Sequence, residues 1–210
     1  NDTISVKGCG GLTSITYNGY TYDLVEIGGQ CWFKENLQTN KYSDGSPINY
    51  PGTDNTAWQN NTTGAYAWYN NDSTTYASTY GALYNWYAVD NAAGLCPTGW
   101  RVPTDCEWMY LEDTLGMSTA DQESTLVNPR GTDEGGKLKE TGTANWLSPN
   151  TGATNSSGFT GLPGSFRMTS GSYSLPIGFI GFYWSSSENI ASNAWDRYLY
   201  YSDSYVFRDV

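Results

Sequence analysis

The groups best suited to chemistry in this chain are its carboxylates and its four cysteines, because the sequence contains no histidine. The neighbouring acid pairs are Asp105/Glu107, Glu112/Asp113 and Asp133/Glu134. A glycosidase places two carboxylates across a cleft, whereas acids at a helix start usually complement the helix dipole. Without histidine, no Ser–His or Cys–His nucleophile system is available. The sequence therefore predicts a protein that is not an enzyme.

The charge balance narrows the choice of partners. The formal net charge is −11, which removes the electrostatic basis for nucleic-acid binding. The absence of histidine also removes the commonest zinc ligand. No cofactor is expected, and Ca²⁺, which takes oxygen ligands, is the one metal that the acidic composition suits.

The cysteines indicate an oxidising compartment. An even number of cysteines in a chain rich in Gly, Asn, Ser and Thr is typical of secreted proteins. Three pairings are possible, and we favour Cys9–Cys31 and Cys96–Cys106 because each bond closes a local loop. The chain starts at Asn1, which fits a removed signal peptide, and contains no apolar run that could span a bilayer. We expect a secreted or cell-surface protein without a membrane span.

The elements that must position these groups are short. Asn18-Gly19 is a strong hairpin turn sequence, so residues 12–33 are predicted to form a hairpin that continues through a second turn. Thr104 and Glu107 form a capping-box pattern at the start of a helix over Thr104–Leu115. Trp108, Leu111 and Leu115 share one face of that helix, so Trp108 should be buried. Further helices are predicted over Tyr80–Val89 and near Glu134–Glu140, and strands over Gly158–Leu162, Ser165–Met168 and Phe182–Ser186.

Several strings carry a family resemblance. They are YNGYTYDLVEIGGQCWFKENL, YGALYNWYAV, LCPTGWRVPTDCEWM, GFTGLPGSFR and FYWSSSE, which together extend over roughly residues 9–200. They resemble the Fibrobacter succinogenes major paralogous domain and, more distantly, the formylglycine-generating-enzyme group. The resemblance implies an α+β, C-type-lectin-like domain with two main helices, short antiparallel strands and long loops, here as one domain over residues 1–210.

Two departures from those families matter. The formylglycine-generating relatives use reactive cysteines late in the domain, and no cysteine follows Cys106. The family's closing strand, which resembles GFSVRCV, is expected to be missing from this chain. Its cysteine would be another partner for Cys96, and Cys106 is the substitute partner in its absence. Residues Trp68–Asp72 loosely resemble the Trp-Asn-Asp element of calcium-dependent lectins, without its companion Glu-Pro-Asn.

The C-terminal run is the predicted contact surface. Residues 185–208 combine Tyr, Ser, Asn and Asp with Trp and Arg, the composition of a recognition surface, and resemble the variable regions of diversified lectin-fold proteins. An ordinary pair of strands with Tyr ladders is the alternative. Alternation along a strand should place Trp195 and Leu199 inward, Arg197 at their rim, and Asp196, Tyr198 and Tyr200 outward. The predicted ligand-binding residues are Asn189, Asn193, Asp196, Arg197, Tyr198, Tyr200, Tyr201, Asp203, Tyr205 and Phe207.

Two functions are consistent with these features. The first is an extracellular recognition module that binds a protein or glycan through the C-terminal surface. The second is a structural subunit of a fibre, layer or adhesin that self-associates through the same surface. Thr3 and Ser73 lie in short Asp-Ser/Thr sequences that resemble the O-glycan acceptors of Bacteroidetes-type bacteria, so both are candidate attachment sites.

Overall fold

The computed structural model describes residues 8–125, 129–190 and 193–210, which form an α+β fold. The strands are β1 (Ser14–Tyr17), β2 (Tyr20–Ile27), β3 (Gln30–Phe33), β4 (Tyr66–Ala67), β5 (Leu83–Tyr84), β6 (Ile180–Ile190), β7 (Asn193–Tyr200) and β8 (Phe207–Asp209). The helices are α1 (Asn55–Gln59), α2 (Ser73–Tyr80), α3 (Trp86–Val89), α4 (Asp105–Thr114), α5 (Thr119–Gln122) and α6 (Glu134–Leu138), with a 3₁₀ turn at Tyr69–Asn71. In the described residues the strands form three antiparallel sheets, β1-β2-β3, β4-β5 and β6-β7-β8.

The predicted N-terminal hairpin is confirmed. Asn18 and Gly19 both have positive φ, at 49° and 86°, as a two-residue hairpin turn of this kind requires. Strand β2 pairs with β1 on one side and with β3 on the other. Cys9 and Cys31 form a disulfide, which ties the segment before β1 to the third strand.

Helix α4 follows the prediction closely. The Thr104 hydroxyl accepts the Glu107 N–H at 3.2 Å, and the Glu107 carboxylate accepts the Thr104 N–H at 2.9 Å, which completes the capping box. Trp108 is 3% exposed, as expected, and its ring contacts Trp32 and Phe159 in the main core. The sequence therefore correctly predicted both the start of this helix and its buried face.

The helix predicted over Tyr80–Val89 is wrong. Tyr80 ends α2, because Gly81 takes φ of +72°, a conformation that stops a helix and suits glycine. Leu83 and Tyr84 then pair with Tyr66 and Ala67 as β4-β5, and helix resumes only in α3. Tertiary pairing with a distant strand has overridden the local apolar pattern.

The predictions for the second half of the chain are partly confirmed. Helix α6 lies within the segment predicted near Glu134–Glu140, and Phe182–Ser186 lies inside the longer strand β6. Gly158–Leu162 and Ser165–Met168 are not strands. Their ladder pairing is limited to the bridges Lys139–Gly161 and Ser165–Gly181, and turn and loop hydrogen bonds from both backbone and side-chain groups satisfy other backbone atoms of these segments.

The C-terminal sheet contains the closing strand that was expected to be missing. Strand β8 pairs with β7, with Tyr198 opposite Phe207 and Asp196 opposite Asp209. Residues 207–209 include no cysteine, so β8 offers no partner for Cys96.

The predicted Cys96–Cys106 disulfide is wrong, because both residues are free thiols. Cys96 packs against the second core cluster, around Tyr42 and Leu95, whereas Cys106 lies on α4, which packs against the main core. The loop between them therefore connects two separate packing units. Nearness in sequence did not bring the two side chains together. Burial raises the pKa of Cys96 to about 12, so this thiol is protonated at neutral pH.

Candidate functional site

The two faces of β7 follow the predicted alternation, but their roles differ from the prediction. Arg197 and Leu199 share one face, directed at α4 and the main core, and both are 1% exposed. Arg197 is therefore a fully buried residue rather than a rim residue, because carboxylates of α4 accept hydrogen bonds from its guanidinium. Asp196, Tyr198 and Tyr200 occupy the opposite face, as alternation requires.

A buried ion cluster joins α4 to the C-terminal sheet. Glu112 accepts two hydrogen bonds from Arg130, at 2.7 and 3.1 Å, and one from Arg197 Nε at 2.6 Å. Asp105 accepts from Arg197 at 2.8 Å and from Arg208 at 2.6 and 3.0 Å. Arg208 also stacks on Trp195, with its Cζ 3.7 Å from the ring centroid. These contacts fix the position of the sheet and leave the cluster closed to a ligand.

The predicted exposure of Tyr198 is wrong. Its ring lies between Phe182, at 4.9 Å, and Phe207, at 4.8 Å with nearly parallel planes, and Tyr200 packs edge-on against it. Tyr198 is 7% exposed and its pKa is raised, chiefly by burial. The three-strand sheet completed by β8 covers this tyrosine, and a closing strand was not expected from the sequence.

The other predicted residues lie in several places. Asn193 and Asp196 line a cleft described below. Asn189 is exposed near the end of β6, and Tyr205 is 38% exposed in the loop before β8. Tyr201 packs on Phe179, and the backbone carbonyl of Asp203 accepts a hydrogen bond from Lys139. The predicted set is therefore divided between the sheet interior, a loop and a cleft wall.

The described part of the chain has a cleft of about 1160 Å³. It is bounded by β3 and the segment after it, the segment from residue 80 to residue 103, the loop from residue 162 to residue 169, and β6 and β7. Partly exposed aromatic rings that line it are Phe33, Trp100, Phe166, Phe182 and Trp184. Such a combination of aromatic walls and a few polar groups is typical of ligand sites.

Local structure holds the aromatic walls in place. Trp184 donates its indole N–H to the carbonyl of Tyr84 at 2.8 Å, and its ring lies 6.1 Å from that of Trp86. Trp100, which also lines the cleft, packs on Phe33 with ring centroids 4.5 Å apart. Aromatic rings fixed in this way offer flat contact faces that lose little conformational entropy on binding.

Four residues that line the cleft, Gln30, Trp32, Arg167 and Asp196, have a buried side-chain atom without a hydrogen-bond partner, and two of these residues are charged. One carboxylate oxygen of Asp196 is buried and unpaired, and burial together with the neighbouring Asp209 raises the pKa of Asp196 to about 7. Arg167 is 7% exposed, and its Nη1 is also buried and unpaired. Its other nitrogens donate to Gly171 O at 2.8 Å and to Asn55 Oδ1 at 3.1 Å.

Arg167, Phe166 and Trp184 line the cleft but were not predicted from sequence as site residues. All three lie in the strings GSFR and FYWSSSE, which carried the family resemblance but no chemical pattern of their own. Strand alternation would have placed Trp184 on the same sheet face as Asp196, because these two residues are opposite each other in β6-β7. Arg167 lies on a loop, so no periodicity could have placed it.

The remaining candidates are a metal site, glycan attachment and a membrane span. Within the described ranges, no group of three Cys, Asp or Glu side chains is arranged to hold a metal ion. Asp72 instead caps α2 by accepting the Thr75 N–H at 3.1 Å. Ser73 is exposed at the first position of α2, whereas Thr3 lies outside the described residues. None of the described helices is both long enough and apolar enough to cross a membrane.

Fold and site together define a small α+β domain with one local disulfide and an aromatic cleft beside its C-terminal sheet. The chain belongs to the Fibrobacter succinogenes major domain family, whose sequence profile matches residues 25–210 and so includes most of the cleft lining, the ion cluster and β8. Searches of curated proteins and of solved structures find no match.

Proposed function

We propose that this chain is an extracellular, non-enzymatic recognition module that binds a glycan or a protein in the aromatic cleft. The observation that carries the proposal is the cleft itself, because its volume and its partly exposed rings suit a ligand. The Cys9–Cys31 disulfide supports an oxidising compartment. A C-type-lectin-like relationship belongs to the same proposal.

A glycan fits the cleft better than an extended peptide. Peptides commonly add a strand to a free sheet edge. The outer edge of β6 is already occupied, since Ser165 bridges Gly181 and the Ser186 N–H donates to Pro103 O at 2.8 Å. Sugar rings instead present C–H groups, which pack well on aromatic faces such as those of Trp100 and Trp184.

The absence of an enzymatic function is also proposed on chemical grounds. The chain has no histidine, and the protonated thiol of Cys96 is a weak nucleophile. The paired acids of α4 are occupied, because Asp105 and Glu112 are bound by arginines. No acid pair of α4 is therefore free to act across the cleft.

Self-association through the C-terminal surface is the alternative function. Packing within the chain leaves little exposed apolar area on that surface for a contact between copies. Between residues 187 and 208, the large exposed apolar side chains in the described part are Ile190 and Tyr205. Tyr198 packs within its own sheet and Arg197 is buried in the ion cluster, so these two of the ten residues predicted from sequence are not available for an intermolecular contact.

A glycan array with light scattering on the same sample tests the proposal. The wild-type protein should bind as a monomer, and Trp100→Ala should lose at least about 10-fold in affinity, as loss of a central aromatic contact usually does. Tyr205→Ala is the matched control, because this exposed tyrosine lies outside the cleft lining. Binding lost with Tyr205→Ala but kept with Trp100→Ala would reject the cleft, and ordered self-assembly without ligand would favour the alternative.

A further inference from the structure

The arginines of this chain differ in what neutralises them. There are five arginines, and four of them form ion pairs. Arg101 pairs with Glu107, and the other three meet Asp105 and Glu112 in the buried cluster. Arg167 forms no ion pair with any of the residues in 8–125, 129–190 and 193–210, although the chain has 21 acids for 10 bases.

The surroundings of Arg167 hold its guanidinium rigidly. Its Cζ lies 4.5 Å from the centre of the Trp58 ring and 5.4 Å from that of Tyr173. Asn55 and the carbonyl of Gly171 accept two of its N–H groups. The plane of the guanidinium is thus fixed beforehand, which lowers the entropy that a partner must overcome.

The remaining nitrogen, Nη1, has no acceptor and is buried. A buried donor without an acceptor costs about 1–3 kcal/mol, and more when it is charged. Buried Lys139 also lacks a carboxylate, but three backbone carbonyl oxygens accept from its Nζ at 2.7–2.9 Å. Arg130 and Arg197 each keep one unpaired nitrogen as well, yet carboxylates neutralise their charge.

We propose that Arg167 is the anion-recognition residue of the cleft, and that it binds the carboxylate of an acidic sugar in the ligand. This inference rests on the proposed function and names its ligand class. Residues around Arg167 that also line the cleft, Trp58, Phe166 and Met168, would contact the sugar ring, while the guanidinium binds its carboxylate. Charge-assisted hydrogen bonds between arginine and carboxylate are among the strongest that a protein makes.

The test uses three disaccharides titrated by calorimetry: one ending in glucuronic acid, its uronate methyl ester, and the same disaccharide ending in glucose. The wild-type protein should bind the glucuronate at least about 10-fold tighter than the ester, the effect expected for one charge-assisted pair. Arg167→Met should reduce that ratio to about one while binding of the glucose form changes little, because only the carboxylate contact is removed.

Two further variants separate recognition from structure. Arg167→Lys keeps the charge but loses the planar fork, so most of the preference for the glucuronate should disappear. Lys41→Met removes one positive charge from an exposed position outside the cleft lining and should leave the ratio unchanged. A merely structural Arg167 would weaken all three sugars equally, which would overturn the inference.

The possible failures are distinguishable. Equal wild-type binding of the glucuronate, the ester and the glucose form would overturn the role of Arg167 and leave the cleft as a glycan site. Arg167-dependent binding of a short peptide through its terminal carboxylate, with no binding of the glucuronate, would overturn the sugar class. No binding of any disaccharide at millimolar concentration, with no hit on the glycan array, would remove the proposed function as well.

Discussion

The two faces of the C-terminal sheet differ in whether their buried charged groups have partners within the chain. On the face towards α4, the guanidiniums of Arg130, Arg197 and Arg208 share the carboxylates of Asp105 and Glu112. On the face towards the cleft, Asp196 has an unpaired carboxylate oxygen, and Arg167 on the adjoining loop has an unpaired nitrogen. In the first region carboxylates neutralise every guanidinium, although Arg130 and Arg197 each keep one nitrogen without a hydrogen-bond partner. In the second region neither Asp196 nor Arg167 has an ion-pair partner among the described residues.

This difference separates structural charge from charge available for recognition. A charged side chain that forms an ion pair within the chain contributes to stability and is not available to bind a ligand. A rigid, buried group without a partner is already ordered, so it loses little further conformational entropy when a ligand binds. We therefore expect substitutions in the ion cluster to change stability, and substitutions in the cleft to change binding.

The largest expected effect is at Glu112. Glu112→Ala leaves two buried guanidiniums without their shared carboxylate, so the free energy of unfolding should fall by about 3–5 kcal/mol. Urea denaturation followed by tryptophan fluorescence measures it. Asp133→Asn is the control, because its pair with Lys137 lies at the surface and should cost less than about 1 kcal/mol. Similar losses for both variants would remove the distinction between the cluster and a surface pair.

Lys139 tests the same distinction with a different set of partners. Lys139→Met leaves three backbone carbonyls without their donor, so we expect a loss of about 3 kcal/mol in denaturation experiments. Burial lowers the pKa of Lys139 to about 8, so the side chain is still mainly protonated at neutral pH. A loss below about 0.5 kcal/mol, the range of ordinary surface changes, would contradict the role assigned to this lysine.

Tyr198 and Tyr205 compare a packed tyrosine with an exposed one. Tyr198→Ala should cost about 2–4 kcal/mol, because it empties the space between Phe182 and Phe207. Tyr205→Ala should cost less than about 0.5 kcal/mol. Thermal denaturation of both variants measures the difference. If Tyr198→Ala has the same melting temperature as the wild type, the C-terminal surface predicted from sequence would again be a candidate contact surface.

Asp196, on the cleft side of the sheet, should make the free energy of unfolding depend on pH. Its pKa is raised above the ordinary value of 3.8 to about 7, so between these values the folded protein binds more protons than the unfolded chain. Stability from this group is present at low pH and lost as the pH rises through about 7. Between pH 4 and 8, the free energy of unfolding should fall by up to about 4 kcal/mol more in the wild type than in Asp196→Asn. Parallel pH profiles would show that Asp196 is paired in solution.

The sequence predicted features that depend on local chemistry. The capping box at Thr104, the Asn18-Gly19 turn and the buried face of α4 each follow from residues within one turn or hairpin. The alternation of β7 was also correct. The sequence could not show that Arg197 meets Glu112, 85 residues away, or that β8 covers Tyr198, because both depend on long-range packing.

The cleft could not be predicted from the sequence either, because it also depends on long-range packing. Its walls come from several widely separated parts of the chain, and Arg167 lies on a loop without periodicity. The failed Cys96–Cys106 pairing has a similar origin, since sequence separation does not report which core a side chain joins. The composition of the C-terminal run was interpreted as a recognition surface, whereas Tyr198 packs between Phe182 and Phe207 within the sheet.

The most direct test is a crystal structure of the wild-type protein with the glucuronate-terminated disaccharide. We predict that the sugar lies in the cleft, with a carboxylate oxygen within hydrogen-bonding distance of Arg167 Nη1, while the ion cluster around Glu112 is unchanged. A disaccharide bound on the outer surface of residues 187–208, with Arg167 still unpaired, would contradict the account.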